Sequence, residues 1–143
     1  MVEIIQDLIH FLAKDQLTIN EVIARVGHID HDPDAPMPMR LRSALPGVHL
    51  AELARYPDSG LPYVLILELS PDSRLTVGNL QLLLGDYKRT LTHPGMPTEL
   101  IFPAVASGAQ WRIAVIVELE PNSTALDSAF ITRVALRRDP ITT

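Results

Sequence analysis

The densest run of groups able to do chemistry is His28-Ile29-Asp30-His31-Asp32-Pro33-Asp34. Imidazoles and carboxylates packed this closely are the donor types that hold a divalent cation. His28, Asp30, His31 and Asp32 form the candidate metal set, and His31 is a candidate general base oriented by a carboxylate. The alternation of Asp30, Asp32 and Asp34 follows the opening of a calcium-binding loop. That pattern then breaks, because Ala35 stands where the turn needs glycine and Leu41 where the closing bidentate glutamate belongs. The competing reading is a solvated acidic loop whose side chains satisfy nearby backbone groups ahead of Pro33.

Other groups give weaker signals. Glu68 and Glu118 each interrupt an apolar run near its end, and carboxylates on adjacent strands would suit acid/base work. Pairing with an arginine such as Arg112 or Arg133 serves the same residues without catalysis. The serines lie in turn clusters with no nucleophile elbow, and the glycines form neither a phosphate loop nor a dinucleotide fingerprint. The sequence therefore predicts no cofactor. Arg133, Arg137 and Arg138, with Tyr87-Lys88-Arg89, form the best basic surface, suited to an acidic partner or to guarding a sheet edge. Pro36-Met37-Pro38-Met39 offers an adaptable contact. His10 and His49 read as surface positions, and His93 as a turn residue.

The elements that must position these groups follow from periodicity. Ile4, Ile5, Leu8, Ile9, Phe11 and Leu12 mark an amphipathic first helix. Thr18 stands three residues before Glu21, the spacing of a capping box, with Leu17 and Val22 as a hydrophobic staple and Gly27 as a left-handed stop for the second helix. Leu75, Thr76, Leu80 and Gly85 repeat that arrangement for a third helix, with Asn79 in place of the glutamate and Gly78 weakening the first turn. The segment 28–47, with Pro33, Pro36, Pro38 and Pro46, reads as an extended connection. Strands are expected at about 48–56, 62–70, 98–105, 110–120 and 128–138.

This order, α-α-β-β-α-β-β-β, predicts an α+β domain spanning residues 1–143. It has about five mostly antiparallel strands, with the helices packed on the sheet. Glu68 to Ser73 and Glu118 to Ser123 are also alike, so the expected plan is two tandem helix-plus-hairpin repeats. They cover approximately residues 16–73 and 74–123, between an N-terminal helix and a C-terminal strand. Strands around Val64 and Val115 are apolar at nearly every position, which predicts cover on both faces, by the helical hairpin or by another subunit. The alternation around Phe130 to Arg137 predicts a strand with a wetter face, or an edge.

The chain has 17 acidic and 12 basic residues for a net charge of -5, and 47% of it is hydrophobic. That balance disfavours nucleic acid and anionic membrane surfaces, and the absence of cysteine removes disulfide and thiolate chemistry. Leu17 to Gly27 resembles the first helix of helix-turn-helix domains, but the following segment is acidic and broken by proline. A threonine-capped helix closing on glycine and leading into antiparallel strands is similar to the repeated unit of beta-lactamase inhibitory proteins and of small outer-membrane assembly lipoproteins. That resemblance implies protein binding. The expectation is a non-enzymatic, cytoplasmic interaction or accessory module, chaperone-like or of the inhibitor and immunity type. It is expected to form a homo-oligomer, with Arg133, Arg137, Val64 and Val115 at contact surfaces, no nucleic acid and no membrane. The alternative is a small-ligand or metal-dependent enzyme using residues 28–34.

Overall fold

The computed structural model describes residues 1–29, 37–90, 96–121 and 125–141, with backbone alone for 104–107. Helix α1 (Val2–Leu12) buries Ile5, Leu8, Ile9 and Leu12 along one stripe. Each such aliphatic side chain contributes about 1.5–3 kcal/mol of burial. Helix α2 (Ile19–Val26) begins at the expected capping box: the Glu21 amide donates to Thr18 Oγ1 at 3.2 Å, while the Thr18 amide donates to Glu21 Oε1 at 3.2 Å. Helix α3 (Val77–Leu84) closes the same reciprocal pair through asparagine, whose Oδ1 accepts from the Thr76 amide at 3.1 Å. Gly78 in its first turn is explained by space, because a Cβ there would lie 2.9 Å from the Asp127 carbonyl oxygen. Gly27 is not a left-handed stop. Its φ of 164 is extended backbone, and glycine is required because the Arg42 carbonyl lies against the position a Cβ would take.

Among the described residues eight strands, not about five, form one antiparallel sheet. They are β1 (Gly27–Ile29), β2 (Met39–Ser43), β3 (Val48–Arg55), β4 (Pro62–Leu69), β5 (Lys88–Arg89), β6 (Glu99–Ser107), β7 (Trp111–Leu119) and β8 (Ile131–Pro140). The segment expected to be a connection therefore contributes β1 and β2. Met39 and Leu41 face the core and Arg40 and Arg42 face out, the alternation of a half-buried strand. The spatial order is β1-β2-β3-β4-β8-β7-β6-β5. Two four-stranded meanders, each entered through a threonine-capped helix, thus meet where β4 pairs with β8. The Glu68 and Glu118 segments end β4 and β7, which hold the fourth and third places in their meanders.

The three helices all lie on one face. Their buried side chains share a single core with Leu53 of β3, Leu65 and Leu67 of β4, Val134 and Leu136 of β8, Val115 and Val117 of β7, and Phe102 of β6. The helical hairpin does not cover the opposite face, and residues of the other parity there, among them Val64, Ile66, Ile116 and Ala135, are partly exposed. β8 is a central strand between β4 and β7, so it is not an edge.

Candidate functional site

Of the candidate metal set, the structure places His28 alone. His28 lies exposed on edge strand β1 opposite Arg42, and Asp30, His31 and Asp32 lie outside the described residues. Among the described residues no group of three or more His, Asp or Glu could hold a metal ion. Glu68 and Glu118 are not on adjacent strands either: β8 runs between them and places Arg133 opposite both. Arg133 Nη1 lies 3.7 Å from Glu118 Oε1, so one member of the expected acid/base pair is half of an ion pair.

The basic cluster is divided by the pleat. Arg133 and Arg137 project from the open face at the middle of the sheet, where they do not guard an edge. Arg137 donates from Nε and Nη2 to the two carboxylate oxygens of Asp139 at 2.8 and 3.1 Å, and this bonding raises its pKa. Arg138 has the opposite parity and is fully buried. Its guanidinium donates to the carbonyls of Leu12 (2.8 Å), Pro62 (2.9 Å) and Lys14 (3.0 Å) and stacks 4.1 Å from the Trp111 ring. Burial lowers its pKa. Arg138 is therefore a staple between the end of α1 and the sheet, not part of a surface. Val115 likewise faces the helices and is buried, whereas Val64 lies on the open face.

What the structure does bring together is the open face of β3, β4, β8, β7 and β6. One row across it reads Glu52, Ile66, Ala135, Ile116 and Ile101 in direct register. The next reads Glu68, Arg133, Glu118 and Glu99. Ile66, Ala135 and Ile116 with Glu99, Glu118 and Arg133 line a shallow concavity of about 240 Å³. The aliphatic groups here would gain by desolvation if covered, and the surrounding charges, of which Arg133 and Glu118 are paired, would orient what covers them. Glu99, Ile101 and Ile116 are members that sequence reasoning left out. The signal available for them was their alternation with Leu100, Phe102 and Val115.

Elsewhere, a larger depression of about 400 Å³ is lined by Leu69, Ser70, Arg74, Glu120, Phe130 and Thr132, among others, on the side where β4 and β7 end. Tyr56, whose hydroxyl donates to the Arg138 carbonyl, has its pKa raised first by burial and then by the charge of Asp139. Among the described residues no helix is long and apolar enough to cross a membrane. Compared with known proteins, the chain matches no family model, no curated protein and no solved structure.

Proposed function

We propose that this protein is a non-enzymatic, intracellular interaction module, chaperone-like or of the inhibitor and immunity type, that engages protein through the open face of its sheet. The observation that carries the reading is the one-sided placement of the helices. It leaves a central strand pair, β4 and β8, with Val64, Ile66 and Ala135 on a face that no part of the described chain covers. An apolar sheet face of this breadth gains from being covered by protein. The net charge of -5 supports a protein partner over a nucleic acid. The two meanders entered through capped helices support descent from one duplicated unit.

The test compares proteins retained by tagged wild type with those retained by Ile66→Lys under mild salt. Ile66 is partly exposed, so the variant is expected to keep its circular dichroism spectrum. A stoichiometric protein, a second copy of the chain included, held by wild type and lost from the variant is the expected result. Equal retention by both would remove the open face from the proposal. Stoichiometric metal lost on changing His28 and His31 to Ala would favour the metal-dependent reading.

A further inference from the structure

We infer that the open face is occupied by a second copy of this chain, packed sheet against sheet about a two-fold axis that runs parallel to the strands between β8 and β7. This rests on the reading of the open face as the interaction surface and commits that face to one occupant.

The argument is the order of side chains across the sheet. Lys88 of β5 is in register with Ile101, so the central row extends to Glu52, Ile66, Ala135, Ile116, Ile101 and Lys88. From β3 to β5 an acid stands at one end of the row and a base at the other with aliphatic groups between them, and Arg40 of β2, in register with Glu52, lies beyond the acid. A two-fold axis through the midpoint, between Ala135 and Ile116, lays Ile66 on Ile101 of the second copy and Ala135 on Ile116. It lays Glu52 on Lys88, and each contact occurs twice by symmetry. In the neighbouring row the same axis sets Arg133 over Glu118 of the second copy. It leaves Glu68 near Glu99 at the rim, the one like-charge encounter in these two rows.

In the third row this axis lays Arg137, already bonded to Asp139, on Ala114 of the second copy, and the other placements fit worse. An axis between β4 and β8 lays Glu52 on Ile116, burying a carboxylate against an aliphatic chain. An axis perpendicular to the strands brings Arg133 over Arg137, setting like charges together. Aligned sheets pack about 10 Å apart and about 30° askew, which displaces the ends of the row by roughly 6 Å, a gap long Glu and Lys side chains span. Five strands, β3, β4, β8, β7 and β6, at about 4.8 Å spacing and about seven residues at about 3.3 Å rise give a footprint near 550 Å². With the corrugation of side chains, that approaches the ~800 Å² per partner of a standard interface.

Sedimentation or light scattering over a range of concentrations tests the proposal. Wild type is expected to be a dimer and Ile116→Lys a folded monomer. Glu52→Lys and Lys88→Glu each turn two attractions into two repulsions at the rim, which should weaken the dimer about tenfold. Mixed in equal amounts, the two variants should form a heterodimer of near wild-type affinity. The lysine introduced in one variant then meets the glutamate introduced in the other, and the native Lys88 of the first meets the native Glu52 of the second. A purely structural role within one chain cannot produce that rescue in trans. A wild type that stays monomeric at the highest concentration reached, a dimer that ignores Ile116→Lys, or a mixture without rescue would each overturn the inference. Of these, a monomer whose retained protein partner is lost on Ile66→Lys would overturn self-association while leaving the wider interaction reading intact.

Discussion

Replacing Arg138 by Met should destabilise the fold by about 3 kcal/mol, although it removes a charge from the interior. The guanidinium is fully buried and satisfies three main-chain carbonyls, two of them at the end of α1, and it stacks on Trp111. Methionine fills a similar length and relieves several kcal/mol of desolvation. Against that gain, three carbonyls lose their donor at about 1–3 kcal/mol each, and the stacked cation gives up about 2 kcal/mol in a desolvated setting. The opposing sums leave roughly 3 kcal/mol, within the range for breaking a buried charged network. Lysine keeps the charge but cannot serve three diverging carbonyls from a planar fork, so Arg138→Lys should fall between wild type and Arg138→Met. Urea unfolding followed by circular dichroism gives the values, with Trp111, the one tryptophan, as a second probe. An unchanged m-value would confirm that stability alone has moved. If Arg138→Met proves neutral or stabilising, the carbonyls find water or other donors and the staple reasoning fails.

Tyr56→Phe addresses alkaline stability. The raised pKa means that folding favours the protonated phenol, so its contribution is fully present below the unfolded value near 10 and is lost as pH climbs through the raised folded value. The variant should be less stable than wild type at neutral pH and lose less on titration above pH ~10, read from thermal melts. Thr18→Ala and Thr76→Ala each remove one capping acceptor and should cost about 1 kcal/mol in urea unfolding, with additive effects because the caps belong to separate helices. Gly27→Ala should cost more than either, since its methyl group meets the Arg42 carbonyl where β1 joins β2. A melting temperature equal to wild type would contradict that close approach.

The helices were legible because α1 carries a period and α2 and α3 a signature at their ends: the Thr18 and Thr76 caps with Gly27 and Gly85 bound the same residues that form the two helices. The sheet was harder to read. Strands of two or three residues, such as Lys88–Arg89 and Gly27–Ile29, are too short to show a period of two. In Met39–Ser43 the alternation of Met39 and Leu41 with Arg40 and Arg42 was present, but the prolines on either side argued for a loop. The face of Val115 could not be read locally, because Ala114 and Ile116 are as apolar as their neighbours and hydrophobicity alone gives both parities the same score. Arg138 did carry a signal, since it shares parity with the buried Val134 and Leu136. That signal is too weak alone, because burying a guanidinium needs partners that only the distant Leu12, Lys14 and Pro62 supply. The division of Glu68 from Glu118 by β8 is likewise a non-local pairing, beyond the reach of spacing along the chain.

Of the eight strands, β8 is the last in chain order and yet lies at the centre of the sheet, and this sets the order in which the molecule can become whole. Until residues 131–140 are made, the inner edges of β4 and β7 have no neighbour, and the two meanders share no strand pairing. The Arg138 fork cannot reach back to the carbonyls of α1 until the same moment. Folding therefore waits on closure across most of the chain, a high-contact-order event expected to place it among slower folders. In the interval the nascent chain presents two open strand edges, which is where misassembly between copies would begin.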